Sequence, residues 1–183
     1  MSVFAIAPQP LLLYLGYLLN DETNIKVFQR FRTGNLKWNW KTTEQTNNFS
    51  IEQLYAESSD SITEVNLVLS VSAEITLDRI LLENGQGNEI PTLIVRAKKQ
   101  DFDAIQSSKD ADEFITFFRK NVIEKIRQDF PYLQHINIYP ATPVSIPVRI
   151  GMNYQKNVDV EWKIFNQEVD SGFVYALSLK GEK

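Results

Sequence analysis

The sequence has no cysteine, which excludes disulfides, zinc-thiolate centres and a cysteine nucleophile. The lack of thiols fits a reducing compartment, and a cytoplasmic protein is expected. Its one histidine, His135, stands beside Gln134 at the start of an expected strand, and a Ser-His-Asp triad would have to use it. Neither Gly-x-Gly-x-x-Gly nor Gly-Lys-Ser/Thr occurs, so a dinucleotide cofactor or a P-loop ATP site has no support. Positive charge is not in excess. The net charge of −4 gives no global basic field for duplex nucleic acid. A small anion could still be held locally at helix N-termini. The apolar run Leu11 to Leu19 has no Lys or Arg before it and starts on Pro8 and Pro10. It is shorter than the ~20 residues a membrane span takes and reads as a buried helix.

What is present is a core and a repeat. The 183 residues are 43% hydrophobic and 11% aromatic, enough to bury a sizeable core in one domain or two small ones. The stretch Ile138 to Gly151, IYPATPVSIPVRIG, reads as a buried strand end, a tight loop and a short apolar helix. Thr142 before Pro143 is helix-start chemistry, an N-cap followed by proline at the first helical position. Displaced by 135 positions, the stretch lies on Val3 to Gly16, VFAIAPQPLLLYLG. Pro8 then meets Pro143, Gly16 meets Gly151, and Leu11, Leu13 and Leu15 meet Ile146, Val148 and Ile150. The register continues without a gap, so that 3–40 matches 138–175, with Trp38 on Phe173 and Trp40 on Tyr175. A gapless match that pairs aromatics with aromatics indicates a duplicated unit.

Taken in order, the pattern predicts strands over Ser2 to Ala7 and Asn24 to Phe31, with a helix over Pro8 to Leu19 between them. A turn at Thr33 to Asn35 leads to a strand over Leu36 to Trp40, with Trp38 and Trp40 on one face. Lys41 to Ser61 reads as a loop with a short helix near Ile51 to Tyr55. Val65 to Val71 and Thr92 to Ala97 are strands, the first of them central. Thr76 to Leu82 is helix or strand, and Asn84 to Asn88 a turn. Ser107 to Asp129 is one long amphipathic helix, capped by Ser107 or Ser108. Strands over His135 to Tyr139 and Val158 to Phe165 flank a helix over Pro143 to Tyr154, in which Arg149 reads as solvated. A turn at Asp170 to Gly172 precedes the strand Phe173 to Leu179. Alternating strands and helices argue an α/β fold of two pseudo-symmetric Rossmann-like halves in one chain, about 1–100 and 101–183, each on a mostly parallel sheet.

In open α/β sheets a ligand sits beyond the carboxyl ends of the strands. The duplicated turns offer two such places, Ala7-Pro8-Gln9 and Ala141-Thr142-Pro143, whose free N–H groups suit a phosphate. Facing one another, they would form a pseudo-twofold pocket for a ring-like or repetitive ligand with several phosphates. IYPATPVSIPVRIG resembles the signature of SAVED domains, the sensor modules of bacterial cyclic-oligonucleotide antiviral defence (CBASS and CRISPR effectors). The Ala-x-Pro-Gln-Pro turn, Trp38-Asn39-Trp40, the strand Asn66 to Ser72 and the long helix before His135 extend the resemblance over nearly the whole chain.

The resemblance implies one SAVED domain over 1–183, made of two fused CARF-like halves. It implies binding of a cyclic oligoadenylate, a tri- or tetra-adenylate, with no cofactor, metal or catalysis of its own. It also implies an effector, in a longer protein or a separate chain, and head-to-tail oligomerisation on ligand binding. The candidate ligand residues are Pro8, Gln9, Thr142 and Pro143 at the turns, Ser70 and Ser72 at a strand end, Lys37 and Arg32 for phosphate, and Trp38 for stacking on adenine. For Trp38 a place in the core is the rival role, and for Arg32 a solvated turn. A competing reading is a metal-dependent nuclease, with Asp159, Glu161 and Lys163 on one strand face. Another is a ring nuclease, for which the sequence offers no general base, His135 lying at the wrong end of its strand.

Overall fold

The computed structural model describes residues 1–20, 22–34, 38–41, 48–54, 62–80 and 90–181. Its centre is a six-stranded sheet built from β3 (Phe49–Leu54), β4 (Glu64–Ser70), β5 (Thr92–Ala97), β6 (His135–Ala141), β7 (Glu161–Glu168) and β8 (Gly172–Leu179). The order is β3-β5-β4-β6-β7-β8. The four inner strands are parallel and the two edges antiparallel. As expected, β4 is central, and six of its seven residues are buried, as a strand covered on both faces requires. A separate pair of two-residue strands, β1 (Ser2–Val3) and β2 (Lys26–Val27), runs parallel, joined by helix α1 (Gln9–Leu18).

Alternation along the strands divides the core in two. Val65, Leu67, Leu69, Ile136, Ile138, Trp162 and Ile164 face helix α2 (Ser108–Phe117) and helix α4 (Ser145–Met152), against Phe114, Phe118, Ile146 and Ile150. On the opposite face Val68, Ile94, Tyr139, Phe165 and Phe173 pack with Ile75 and Ile80. Ser107 caps α2 in a reciprocal box with Asp110, its hydroxyl accepting from the Asp110 N–H at 3.0 Å. The helix widens into a π-helical segment, Phe118–Ile123, before continuing as α3 (Glu124–Asp129).

Helices α1 and α4 cross at their glycines. A Cβ on Gly16 would lie 2.0 Å from the Val148 carbonyl oxygen, and one on Gly151 would lie 2.0 Å from that of Leu13. Each helix thus seats its backbone on the other, which only glycine permits. The contacts are reciprocal in the numbering. Gly16 faces Val148 and Met152, while Gly151 faces Leu13 and Tyr17. Asn20 fastens the end of the crossing by donating to the Met152 carbonyl at 2.8 Å.

Several elements differ from the sequence-based expectation. The strands are not divided into one sheet per half, because β4 from the first half and β6 from the second pair in parallel. The first two strands are shorter than expected and, among the described residues, pair only with each other through Ser2–Lys26 and Val3–Val27. No strand runs through Trp38 and Asn39, which form bends, and Leu36 lies outside the described residues. The helix expected near Ile51 is strand β3, whose Ile51 pairs with Val95 and Glu52 with Ile94. Helix α4 begins at Ser145 rather than Pro143, with Val144 as its N-cap. Strand β7 begins at Glu161, because the N–H groups of Val158 and Asp159 turn back to the Gln155 carbonyl. The turn expected at Asn84 to Asn88 lies outside the described residues. Among the described residues no helix is long and apolar enough to cross a membrane.

Candidate functional site

The two like turns touch. Gln9, the first residue of α1, donates from Nε2 to the Thr142 carbonyl at 2.7 Å, and the Thr142 hydroxyl donates back to Gln9 Oε1 at 2.8 Å. Pro8 and Pro143 flank this pair in the chain and hold the turn backbones stiff. Thr142 therefore does not cap α4. Its hydroxyl serves the contact between turns instead.

The helix starts offer fewer free donors than the sequence suggests. Pro8 and Pro10 have no N–H, and the Leu11 and Leu12 N–H groups donate to the Pro8 carbonyl. At α4 the Ser145 N–H donates to Gln29 Oε1 at 3.1 Å, and the Ile146 N–H to the Pro143 carbonyl.

The exit of β4 is sewn to the same place. The Val71 and Ser72 N–H groups both donate to the Ala141 carbonyl, at 3.0 and 2.8 Å. Ser70 is buried and its hydroxyl accepts from the Ile75 N–H at 3.0 Å, closing the turn that follows the strand. Its carbonyl accepts from Gln100 Nε2 at 3.0 Å. Ser72 is half-buried at the surface of this turn.

Trp38 and Arg32 lie in separate clusters. Trp38 meets Phe4 edge-on at 5.5 Å, with Arg30 over its ring at 5.8 Å, and Phe4 stacks on Phe28 at 4.5 Å. Arg32 lies over Phe102 at 3.7 Å. The Arg32 and Thr33 N–H groups donate to the Asp103 carboxylate at 3.0 and 3.1 Å. Burial of Asp103 opposes ionisation. The hydrogen bonds from the Thr33 side chain and the Arg32 and Thr33 backbone, together with Lys41, outweigh it and hold the carboxyl below its ordinary value. Lys37 lies outside the described residues.

The structure thus brings together Pro8, Gln9, Thr142 and Pro143, with Ser70 and Ser72 at the neighbouring strand exit. Residues the sequence reading missed are those that tie the clusters to this place. Buried Gln29 spans from the α4 start to the Arg30 carbonyl, to which its Nε2 donates at 2.9 Å. Its place on the polar side of an expected strand gave no sign of this. Arg149, expected in solvent, is largely covered: its guanidinium pairs with Asp112, reaches Ser108 Oγ at 3.3 Å and lies 5.7 Å over Trp40.

The nuclease constellation does not assemble. Asp159 precedes β7, and its buried carboxylate accepts from Arg119 at 2.8 Å, Arg127 at 3.1 Å and the Gln155 N–H at 2.8 Å. Lys163 Nζ lies 3.1 Å from His135 Nε2, which lies 2.8 Å from Glu64. Among the described residues no group of three or more His, Cys, Asp or Glu could hold a metal.

No curated protein matches the chain by sequence. Among solved structures, the Acinetobacter baumannii Cap4 SAVED/CARF-domain containing receptor with the cyclic trinucleotide 3′3′3′-cAAA matches with a TM-score of 0.69 at 12% identity, covering 98% of this chain and 38% of that one. The same receptor with 2′3′3′-cAAA matches with a TM-score of 0.69 at 11% identity, over 98% and 38%. The receptor described without a nucleotide matches with a TM-score of 0.67 at 10% identity, over 98% and 36%. The chain therefore spans well under half the length of these receptors, and at such identity the likeness is one of fold. The model of the SMODS-associated and fused to various effectors sensor domain matches residues 1–179, and the chain belongs to the SAVED family.

Proposed function

We propose that the chain is a cyclic oligoadenylate sensor with no chemistry of its own, and that its ligand is a cyclic trinucleotide or its tetra-adenylate relative. The observation that carries this reading is the reciprocal pair of hydrogen bonds between Gln9 and Thr142. It joins two turns alike in sequence at one place beyond the carboxyl end of β6. Gln9 Nε2 keeps a second hydrogen there, and the Thr142 hydroxyl keeps lone pairs for a ribose hydroxyl. Pro8 and Pro143 shape the rim, Ser72 adds a hydroxyl, and Ser70 holds the turn. Trp38 for stacking, and Arg32 and Lys37 for charge, remain the candidates the sequence offers. The Cap4 receptors, alike in fold, are described with cyclic trinucleotides, which favours that ring size.

In this reading the repeat is a pair of CARF-like halves, about 1–100 and 101–183, with α1 and α4 crossing on their axis. The reciprocal glycine contacts support it. Binding across both halves shifts the population toward a state that an effector, in the same or another chain, reads through head-to-tail oligomerisation. Isothermal titration with 3′3′3′-cAAA, 2′3′3′-cAAA and cyclic tetra-adenylate, run beside light scattering, tests it. Saturable binding of one ring is expected, weakened at least about tenfold by Gln9→Ala or Thr142→Ala. Absence of binding by all three rings would sink the sensor reading. Binding without a rise in mass would remove oligomerisation from it.

A further inference from the structure

The chain is acidic as a whole, yet residues 24–43 carry five Lys and Arg and no Asp or Glu. Phe28, Phe31, Trp38 and Trp40 are interleaved with these cations. Burial alternates along the first part of the segment. Val27, Gln29 and Phe31 are buried, while Phe28, Arg30 and Arg32 turn outward. The neighbouring run from β1 alternates likewise: Val3 and Ala5 pack inward, and Phe4 is 54% exposed. The outward side chains meet. Phe4 stacks on Phe28 with ring centroids 4.5 Å apart, Trp38 stands perpendicular to Phe4 at 5.5 Å, and the Arg30 guanidinium lies 5.8 Å from the Trp38 ring centre. Two residues on, the Arg32 guanidinium lies 3.7 Å over Phe102, itself 49% exposed. Neither guanidinium forms an ion pair among the described residues.

We propose that this side of the molecule binds linear single-stranded nucleic acid, Phe4 and Phe102 taking bases and Arg30 and Arg32 taking phosphates. Exposed rings beside cations are what a single strand needs, because it presents base faces and phosphates by turns. A duplex hides its base faces, and a polyanion without bases has no use for the two exposed rings. Arginine suits the place, since a planar guanidinium lies flat on a ring and still forks onto a phosphate. The negative excess lies entirely in the rest of the chain and confines the strand to this side. The inference stands apart from the sensor reading. It uses neither Gln9 nor Thr142, and it gives Trp38 and Arg32 a task other than the ring.

The test is fluorescence anisotropy of a labelled linear oligoadenylate of about ten nucleotides, titrated with the chain at several salt concentrations. Saturable binding that weakens with salt is expected. Phe4→Ala should weaken it about fivefold or more, while Phe4→Tyr retains it. Arg30→Gln should lower the slope of log affinity against log salt by about 0.7, a readout that does not depend on the ring variants. No saturable binding at low salt overturns the site. So does equal binding of a duplex of the same length, equal binding of heparin, or a Phe4→Ala variant that binds unchanged. Displacement of the strand by an equimolar amount of 3′3′3′-cAAA overturns it as well, by assigning these side chains to the ring. A chain that binds the strand but no ring keeps this site and loses the sensor reading.

Discussion

Phe4 and Tyr139 hold the same place in the two like segments, yet Phe4 is 54% exposed and Tyr139 fully buried. The same contrast runs along the helices. Leu11 is 53% exposed, while its counterpart Ile146 is fully buried. Leu13 and Val148, by contrast, are both fully buried, and Gly16 and Gly151 both press on opposing backbone. The segments are thus alike where they meet each other and differ where the rest of the chain covers only one of them. Helix α4 packs beside α2 against the large sheet, whereas α1 leans on α4 and touches β7 and β8 with its outer face open. A repeat in sequence records a shared contact and not a shared environment.

The largest effect separates the two aromatics. Tyr139 stacks on Phe165 at 4.6 Å and meets Phe173 edge-on, so Tyr139→Ala should cost about 3–5 kcal/mol in urea denaturation. Phe4→Ala should cost about 1 kcal/mol, through its surface contacts with Phe28 and Trp38 alone. Equal losses would break the comparison. Next come the glycines, where the segments should behave alike. Gly16→Ala and Gly151→Ala each force the helices apart and should each cost about 1–3 kcal/mol by the same measurement. A harmless alanine at either position would contradict the crossing.

Smaller is the loss at the turns. Gln9→Ala and Thr142→Ala each remove one or both of the reciprocal bonds and should lower stability by about 1 kcal/mol, with the double variant losing less than the sum. The smallest effect lies in acid. The folded Asp103 carboxyl titrates below its ordinary value near 3.8. Its stabilisation is therefore complete above that pH and is lost as the pH falls through the folded value. Asp103→Asn should flatten the acid limb of a stability–pH curve below pH 4 and leave the neutral difference nearly constant.

Much of the large sheet was legible because its strands are covered on both faces. Val65 to Val71 and Thr92 to Ala97 announce themselves by composition, and Ser107 with Asp110 marks a helix start. Other elements are decided by distant partners. Ile51 and Leu54 are spaced as a helix would space them, but the free edge of β5 takes them as strand β3. Trp38 and Trp40 alternate as in a strand, yet they answer to different neighbours, Phe4 in one case and Phe31 in the other. Arg149 looks like a solvated helix residue until α2 is laid beside it. At the candidate site the two turns were readable from the repeat. The side chains that tie them in, Gln29 above all, were not, because one glutamine in a polar stretch carries no sign of what it will span.

The glycine crossing also has a mechanical meaning. Two helices seated backbone on backbone cannot slide through one another, but they can turn about the point of contact. Gln9 stands seven residues from Gly16, about 10 Å along α1. A rotation of about 10° at this fulcrum would carry the Gln9 end through roughly 2 Å, enough to part it from Thr142. The arm is long enough that a small swivel at the bearing becomes the making or breaking of a hydrogen bond at its tip.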